Sequence, residues 1–225
     1  MNFRWLAVGL LWLGALTDVQ GQEFDANAAA RHQEACEEGD APSCHTLGLM
    51  HFYGVGVRRS DARAANLFRR ACHLRLPSGC FSLVDVGTAY AEGIGVPRDE
   101  AWAVELFSDA CEGDTAGGCA RLGVMYYEGR GVERDHARAA ELFRQACTGF
   151  DADSCFNLGT MYASGTGVLR NDILAYALFS ISADRGIVRG AQNLAMLTLE
   201  MTEQEIADAE ALAQRCLETY RECTH

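Results

Sequence analysis

Residues Cys111 to Cys147 read CEGDTAGGCARLGVMYYEGRGVERDHARAAELFRQAC. The stretch holds a Cys pair eight positions apart, an apolar segment ending in a G-x-G-V loop, and a second amphipathic segment. It recurs along the chain. The first Cys of each pair is Cys36, Cys72, Cys111 or Cys147, at steps of 36, 39 and 36 residues. The partners are Cys44, Cys80, Cys119 and Cys155, always eight positions on.

Other columns keep this register. Gly54, Gly93, Gly129 and Gly165 open the G-x-G-V loops, which end at Val57, Val96, Val132 and Val168. Ser60, Asp99, Asp135 and Asn171 follow, all residue types whose side-chain oxygen caps a helix N-terminus. The segment behind each cap carries Leu67-Phe68, Leu106-Phe107, Leu142-Phe143 or Leu178-Phe179, with Ala64, Ala103, Ala139 and Ala175 three residues before the Leu on the same face. Gly39, Gly113, Gly149 and Gly186 stand where this helix should stop and are expected as left-handed caps. The segment before each loop is helical too, with Leu122, Gly123, Met125 and Tyr126 matched by Leu158, Gly159, Met161 and Tyr162 and by Leu47, Gly48, Met50 and His51. A glycine inside a helix costs roughly 1 kcal/mol against Ala. Its recurrence predicts a close approach of two helix backbones there.

Each unit is therefore helix A, glycine loop, helix B and a short turn. One hairpin cannot bury its apolar face alone, and stacking several does, so the expected fold is all-α, a right-handed α/α solenoid of stapled helical hairpins. The expected boundaries are a half-unit over 25–36, repeats over about 37–72, 73–111, 112–147 and 148–183, and a degenerate repeat with a capping helix over 184–225, where Ala183 and Ala191 take the two Cys columns. Cys80 to Gly87 is three residues longer than Cys44 to Gly48, which adds nearly one turn to that helix A or makes a local bulge.

The first residues, MNFRWLAVGLLWLGALTDVQGQ, read as a signal peptide over 1–21 with cleavage after Gly21, leaving 22–225 as the mature repeat domain without a membrane span. An uncleaved anchor is the alternative. Ten cysteines behind such a segment point to an oxidising, extracytoplasmic setting, periplasmic or secreted. The net charge is −12 and all 19 basic residues are Arg, a balance that argues against nucleic acid and anionic membrane surfaces.

Residues eight apart in an unbroken helix are separated by about 12 Å of rise. A disulfide needs Cα atoms within roughly 4.4–6.8 Å. The helix must end between the partners, and Gly39, Asp40 and Pro42, or Gly113, Asp114, Gly117 and Gly118, supply the break. Each bridge would tie the end of helix B to the start of the next helix A. Zinc sites favour closer Cys or Cys/His spacing, so no metal is expected. Cys216 and Cys223 are seven apart with no helix breaker between them. A bridge with the last residues folding back is expected, against the helical propensity of Leu217 to Glu222.

The pattern C-x7-C, then L-G-x-M-Y-x-x-G-x-G-V, then A-x-x-L-F-x-x-A-C resembles the Sel-type repeat, a relative of the tetratricopeptide repeat. Cys119-Ala-Arg-Leu-Gly-Val-Met-Tyr and Cys155-Phe-Asn-Leu-Gly-Thr-Met-Tyr carry the likeness most clearly. The Cys-paired version is similar to secreted cysteine-rich proteins of the Hcp type. That resemblance implies a disulfide in each helical pair and two activities: penicillin binding with slow β-lactamase hydrolysis, or adaptor work in protein assembly.

The residues themselves nominate no catalytic centre. No Lys exists to complete S-x-x-K, and Ala163-Ser164-Gly165 lacks the first glycine of G-x-S-x-G. His32, His45, His51, His73, His136 and His225 form no H-x-H or H-E-x-x-H. The G-x-G loops join helix to helix and lack a third glycine, so no nucleotide cofactor is expected. The Tyr90, Tyr126 and Tyr162 column, with His51 in register, reads as packing between repeats. Binding is expected instead on a concave face lined by helix A. Its positions off the Leu/Gly/Met stripe vary: His45, Phe52, Arg121, Tyr127, Asn157 and Asn193. Arg121, Tyr127, Asn157 and Phe52 are the candidate ligand-binding residues, for a protein, a peptide or a cell-wall fragment, or for a β-lactam under the resemblance.

Overall fold

The computed structural model describes residues 27–219. Among them it contains eleven helices and no strand: α1 over 27–37, α2 Ala41–Tyr53, α3 Asp61–His73, α4 Pro77–Glu92, α5 Glu100–Glu112, α6 Ala116–Glu128, α7 His136–Thr148, α8 Ala152–Ser164, α9 Asp172–Asp184, α10 Val188–Thr198 and α11 Glu203–Thr219. The architecture is the α/α solenoid expected from the repeat, with α2, α4, α6, α8 and α10 as A helices and α3, α5, α7, α9 and α11 as B helices. The chain divides into two compact units, one ending at Gly79 and one starting at Cys80.

In the first unit α2 packs on α3. In the second, α5 packs on α6, α6 on α7, α7 on α8 and α8 on α9, and both α10 and α11 pack on α9. The cores are the columns read from the sequence. Ala103, Leu106, Phe107 and Ala110 of α5, and Ala139, Leu142, Phe143 and Ala146 of α7, are all buried. Complete burial of one such aromatic or Leu side chain is worth about 1.5–3 kcal/mol. The capping helix α11 buries Ala209, Ala213 and Cys216. The insertion in α4 makes a continuous helix of 16 residues, against 13 in α6 and α8. A spacing of seven residues returns to nearly the same helix face as a spacing of four, so Cys80, Leu83 and Gly87 all stay buried.

All four expected B-helix caps form. Ser60, Asp99, Asp135 and Asn171 accept from the N–H groups of Arg63, Trp102, Arg138 and Leu174 at 3.4, 3.0, 2.9 and 3.0 Å. The N–H groups of the same four residues donate to the carbonyls of His51, Tyr90, Tyr126 and Tyr162 at 2.9–3.0 Å. Each glycine loop is thereby closed at both ends.

Disulfides join Cys36 to Cys44, Cys111 to Cys119 and Cys147 to Cys155, with Cα atoms 4.6, 4.5 and 4.8 Å apart. Cys72 and Cys80 are each disulfide-bonded and buried. Cys216 is also disulfide-bonded, and α11 continues past it to Thr219; Cys223 lies outside the described residues.

Two expectations need correction. Gly113 and Gly149 cap their helices at φ −82° and −83°, not in the left-handed region. The left-handed residue stands three positions after the first Cys of each pair: Gly39, Arg75, Asp114, Phe150 and, three after Ala183, Gly186. At every one of these the N–H donates to the carbonyl three residues back, at 2.8–3.0 Å. The glycines at 113 and 149 sit one place early because the turn needs its αL residue where the chain leaves the B helix. The second correction concerns the A-helix glycines. A Cβ on Gly48, Gly87, Gly123 or Gly159 would lie 2.5–2.9 Å from the ring of Phe68, Phe107, Phe143 or Phe179. The missing side chain accommodates the Phe of the same repeat's B helix, not a second backbone.

Candidate functional site: a row of clefts along the A helices

Within the second unit three clefts follow the A helices. The first, about 20 Å³, lies between α4 and α6, with Thr88, Ala91 and Glu92 on one side and Arg121 and Val124 on the other. The second, about 210 Å³, lies between α6 and α8, with Val124, Tyr127 and Glu128 facing Asn157, Thr160 and Met161. The third, about 320 Å³, lies between α8 and α10, where Thr160, Ala163 and Ser164 face Asn193, Met196 and Leu197. A B-helix phenylalanine closes the floor of each: Phe107, Phe143 and Phe179.

The lining repeats at the 36-residue step. Thr88, Val124, Thr160 and Met196 form one column, Arg121, Asn157 and Asn193 a second, and Glu92, Glu128 and Glu200 a third with Ser164 at the missing place. Each carboxylate of the third column borders one cleft. Helical periodicity combined with a constant repeat length places equivalent side chains on equivalent surface.

The candidate residues divide as follows. Tyr127, 40% exposed, and half-buried Asn157 line the same middle cleft. Exposed Arg121 lines the first cleft, beside them along α6. Phe52 belongs to the first unit, where its half-buried ring lies edge-on to Tyr53 at 5.1 Å, and it lines none of the three clefts. His45, also in the first unit, is half-buried 5.4 Å from the Phe68 ring, and burial lowers its pKa below the usual imidazole value. Asn193 lines the third cleft. Among the described residues, the side-chain amides of Asn157 and Asn193, the Arg121 guanidinium and the Tyr127 hydroxyl have no hydrogen-bond or ionic partner within the protein. Tyr127 is braced from behind by the His136 ring at 5.0 Å.

Sequence reading passed over Arg130. It sits in the loop after α6 at the place held elsewhere by Val55, Ile94 and Thr166. Its guanidinium donates to Glu100 at 2.7 Å, Glu92 at 3.0 Å, the Ala91 carbonyl at 3.1 Å and Glu128 at 3.5 Å. The bonds to Glu100 and Glu92 raise its pKa, and Arg98 together with Arg130 lowers that of Glu100. One side chain thus ties the rim of the middle cleft to the rim of the first. The Glu column is the signal that could have found this cluster, since its recurrence at 36 residues is visible in the sequence.

The tyrosine column is packing. Tyr126 lies against the apolar clusters on both of its sides, and Tyr162 takes a hydrogen bond from Arg144 at 3.0 Å. His32 Nδ1 lies 3.2 Å from Ser43 Oγ, a Ser–His contact. Ser43 is only 8% exposed at the start of α2, and its N–H donates to the capping carboxylate of Asp40. Among the described residues no group of three or more His, Cys, Asp or Glu could hold a metal ion, and no helix is long and apolar enough to cross a membrane.

Comparison with known proteins places this geometry. The Sel1 repeat family model matches residues 41–75, 81–114, 116–149 and 152–187. A protective antigen of uropathogenic Escherichia coli strains, displaying an SLR fold, is similar at 32% identity and a TM-score of 0.63. The match covers 88% of this chain and 41% of the antigen, so the chain spans less than half the antigen's length. A Sel1 repeat protein from Oxalobacter formigenes is similar at 24% identity and a TM-score of 0.56, covering 85% of this chain and 80% of that one. Helicobacter pylori cysteine rich protein B is similar at 28% identity and a TM-score of 0.46, covering 61% of this chain and 97% of that one. No curated protein matches the chain.

Proposed function

The chain belongs to the Sel1 repeat family, and from that premise we propose that it is an extracytoplasmic scaffold that holds a protein or peptide partner along its A-helix clefts. The observation that carries this reading is the row itself: clefts recurring at one repeat length, apolar at the floor and bordered by polar side chains with no partner inside the protein. Side chains that are solvent-accessible and have no partner inside the protein are free to pair with a ligand. Recurring geometry suits a ligand that is itself a polymer. The buried cysteines, bridged at the Cys-paired hinges, support an oxidising compartment.

Hydrolysis gains no comparable support. The His32–Ser43 contact pairs a hydroxyl with an imidazole, yet that hydroxyl lies buried against a helix cap.

A photo-crosslinking residue placed at Asn157 should yield adducts with proteins of an envelope extract, and one placed at Glu141, on the exposed face of α7, should not. Arg121→Ala with Tyr127→Ala should reduce those adducts without moving the melting temperature. Equal adducts from both positions, or none from Asn157, would remove the proposal.

A further inference from the structure

Independently of the cleft reading, we propose that α10, the A helix of the degenerate repeat, is the contact surface of a homodimer. It packs antiparallel on α10 of a second copy of this chain about a two-fold axis.

Helix α10 is apolar on two opposite sides. Successive helical residues are turned by about 100°. On the inner side Gly190 and Leu197 are buried, and Leu194 packs on the cluster that holds Phe179 and Ala209. On the outer side Val188, Ala191, Ala195 and Leu199 lie within about 80° of one another. All four are exposed, Val188 at 69% and Leu199 at 88%. From Val188 to Thr198 the helix carries a single charged residue, Arg189. A surface helix ordinarily turns a polar side to water, and an exposed apolar face marks a contact site.

The preceding repeat shows what covers this face elsewhere. Cys155 and Gly159 of α8 hold the positions of Ala191 and Ala195, and both are buried. The Phe179 ring of α9 stands 2.9 Å from where a Cβ on Gly159 would lie. The next place in the Phe column is Arg215, which is exposed on α11, and α11 packs on α9. The side of α8 that α9 covers is therefore open on α10.

The order of side chains along this face fits a second copy of itself. The stripe runs large, small, small, large. A two-fold axis across the helix midpoint reverses that order and reproduces it. Val188 then meets Leu199 of the second copy at both ends, and Ala191 meets Ala195 at the crossing. Alanine at a crossing lets helix axes approach to the near end of the usual range of about 8–10 Å. An isologous interface requires this self-complementarity. Charge follows the same order. Arg189 and Glu200 stand about 16 Å apart along the axis on one side of the stripe, with Met196 between them. The two-fold carries each Arg189 to the Glu200 of the other copy and each Met196 to its twin, whereas a parallel pair would set like charges together. Within one chain Arg189 lies 4.7 Å over the Phe156 ring and 3.7 Å from Asp153, and Glu200 lies 3.7 Å from Arg170. These side chains are all more than half exposed, and ion pairs so placed contribute little. The charges therefore set the direction of pairing, and the apolar stripe supplies the attraction. One helix pair buries less than the roughly 1,200 Å² of a standard interface, so the dimer is a weak one.

The test is sedimentation velocity of the full oxidised chain over about 1–500 µM, the range in which so small an interface associates. Ionic strength is held near 0.15 M, where a Debye length of about 8 Å screens the net charge of −12. A monomer–dimer equilibrium is expected. Ala195→Glu, at an exposed position, should weaken it about ten-fold or more without moving the melting temperature. Arg189→Glu and Glu200→Arg should each weaken it several-fold, and the two together should restore it. A chain that stays monomeric throughout the range, a dimer indifferent to Ala195→Glu, or a double charge reversal that recovers nothing overturns the proposal.

Discussion

Glycine serves two separate purposes at Gly186 and Gly159, and substitution tells them apart. Gly186 has φ +89° and open space where a side chain would stand, so Gly186→Ala should cost about 1–2 kcal/mol through backbone conformation alone. Gly186→Asn should cost less, because Asn tolerates the left-handed region. Gly159 is helical, and an added Cβ would stand 2.9 Å from the Phe179 ring. Gly159→Ala should cost about 1–3 kcal/mol through overpacking. Phe179→Leu should recover part of that loss in Gly159→Ala, measured by denaturant unfolding, and should recover none in Gly186→Ala. Equal recovery in both would mean that the ring contact is not the cause. The sequence made the recurrence of these glycines legible but not their purposes. Gly113 and Gly149 resemble left-handed caps, yet the turn places Asp114 and Phe150 in that conformation, and no local pattern distinguishes neighbouring positions in a short break. The neighbour of Gly159 is a tertiary contact, invisible until α8 meets α9.

At the level of elements, the hinge between B helix and next A helix forms with or without sulfur. Gly186 makes the same bond to Ala183 that Asp114 makes to Cys111, although the degenerate repeat has no Cys pair. The disulfide therefore constrains the unfolded chain more than it shapes the turn. Replacing Cys111 and Cys119 together by Ala should cost about 2–3 kcal/mol and leave the helical circular dichroism intact. Loss of the α5–α6 helices would show instead that the bridge builds the hinge. The spacing of eight with a breaker between made these staples legible, and the strong caps Asp99, Asp135 and Asn171 made the helix starts legible. Arg130 was not, because it fills a loop position whose other occupants are small or apolar. Its role has a pH signature. Arg98 and Arg130 hold the folded-state pKa of Glu100 below its ordinary value of 4.5. Their stabilisation is fully present above that unfolded value and is lost as pH falls through the lower folded one. The stability gap between the native chain and Arg130→Gln should therefore be constant near neutrality and narrow below about pH 4.5. A gap that does not change on acidification would assign Arg130 to packing rather than charge.

For the whole molecule, the clefts and the staples belong to one design. The clefts recur at one repeat length only while the repeats keep their register, and the second unit keeps it through shared apolar clusters and the bridges Cys111–Cys119 and Cys147–Cys155. The columns that set this register were legible, and so was the placement of Tyr127 and Asn157 on the same kind of surface. The cleft between them was not, since its floor is Phe143 from α7 and its wall includes Phe156 from α8. The three bridges between Cys36–Cys44, Cys111–Cys119 and Cys147–Cys155 together constrain the unfolded chain by about 7 kcal/mol in the chain-entropy model. That is comparable to the whole stability of an ordinary domain, about 5–15 kcal/mol. The described sulfurs are also deeply buried, with no bridged Cys more than 5% exposed. A thiol reductant should accordingly act slowly on the native protein and quickly once denaturant opens it. The reduced and alkylated chain should lose most of its cooperative thermal transition. If it keeps a transition within a few degrees of the oxidised protein, the staples are dispensable, and the argument from cysteine usage to an oxidising compartment loses its energetic basis.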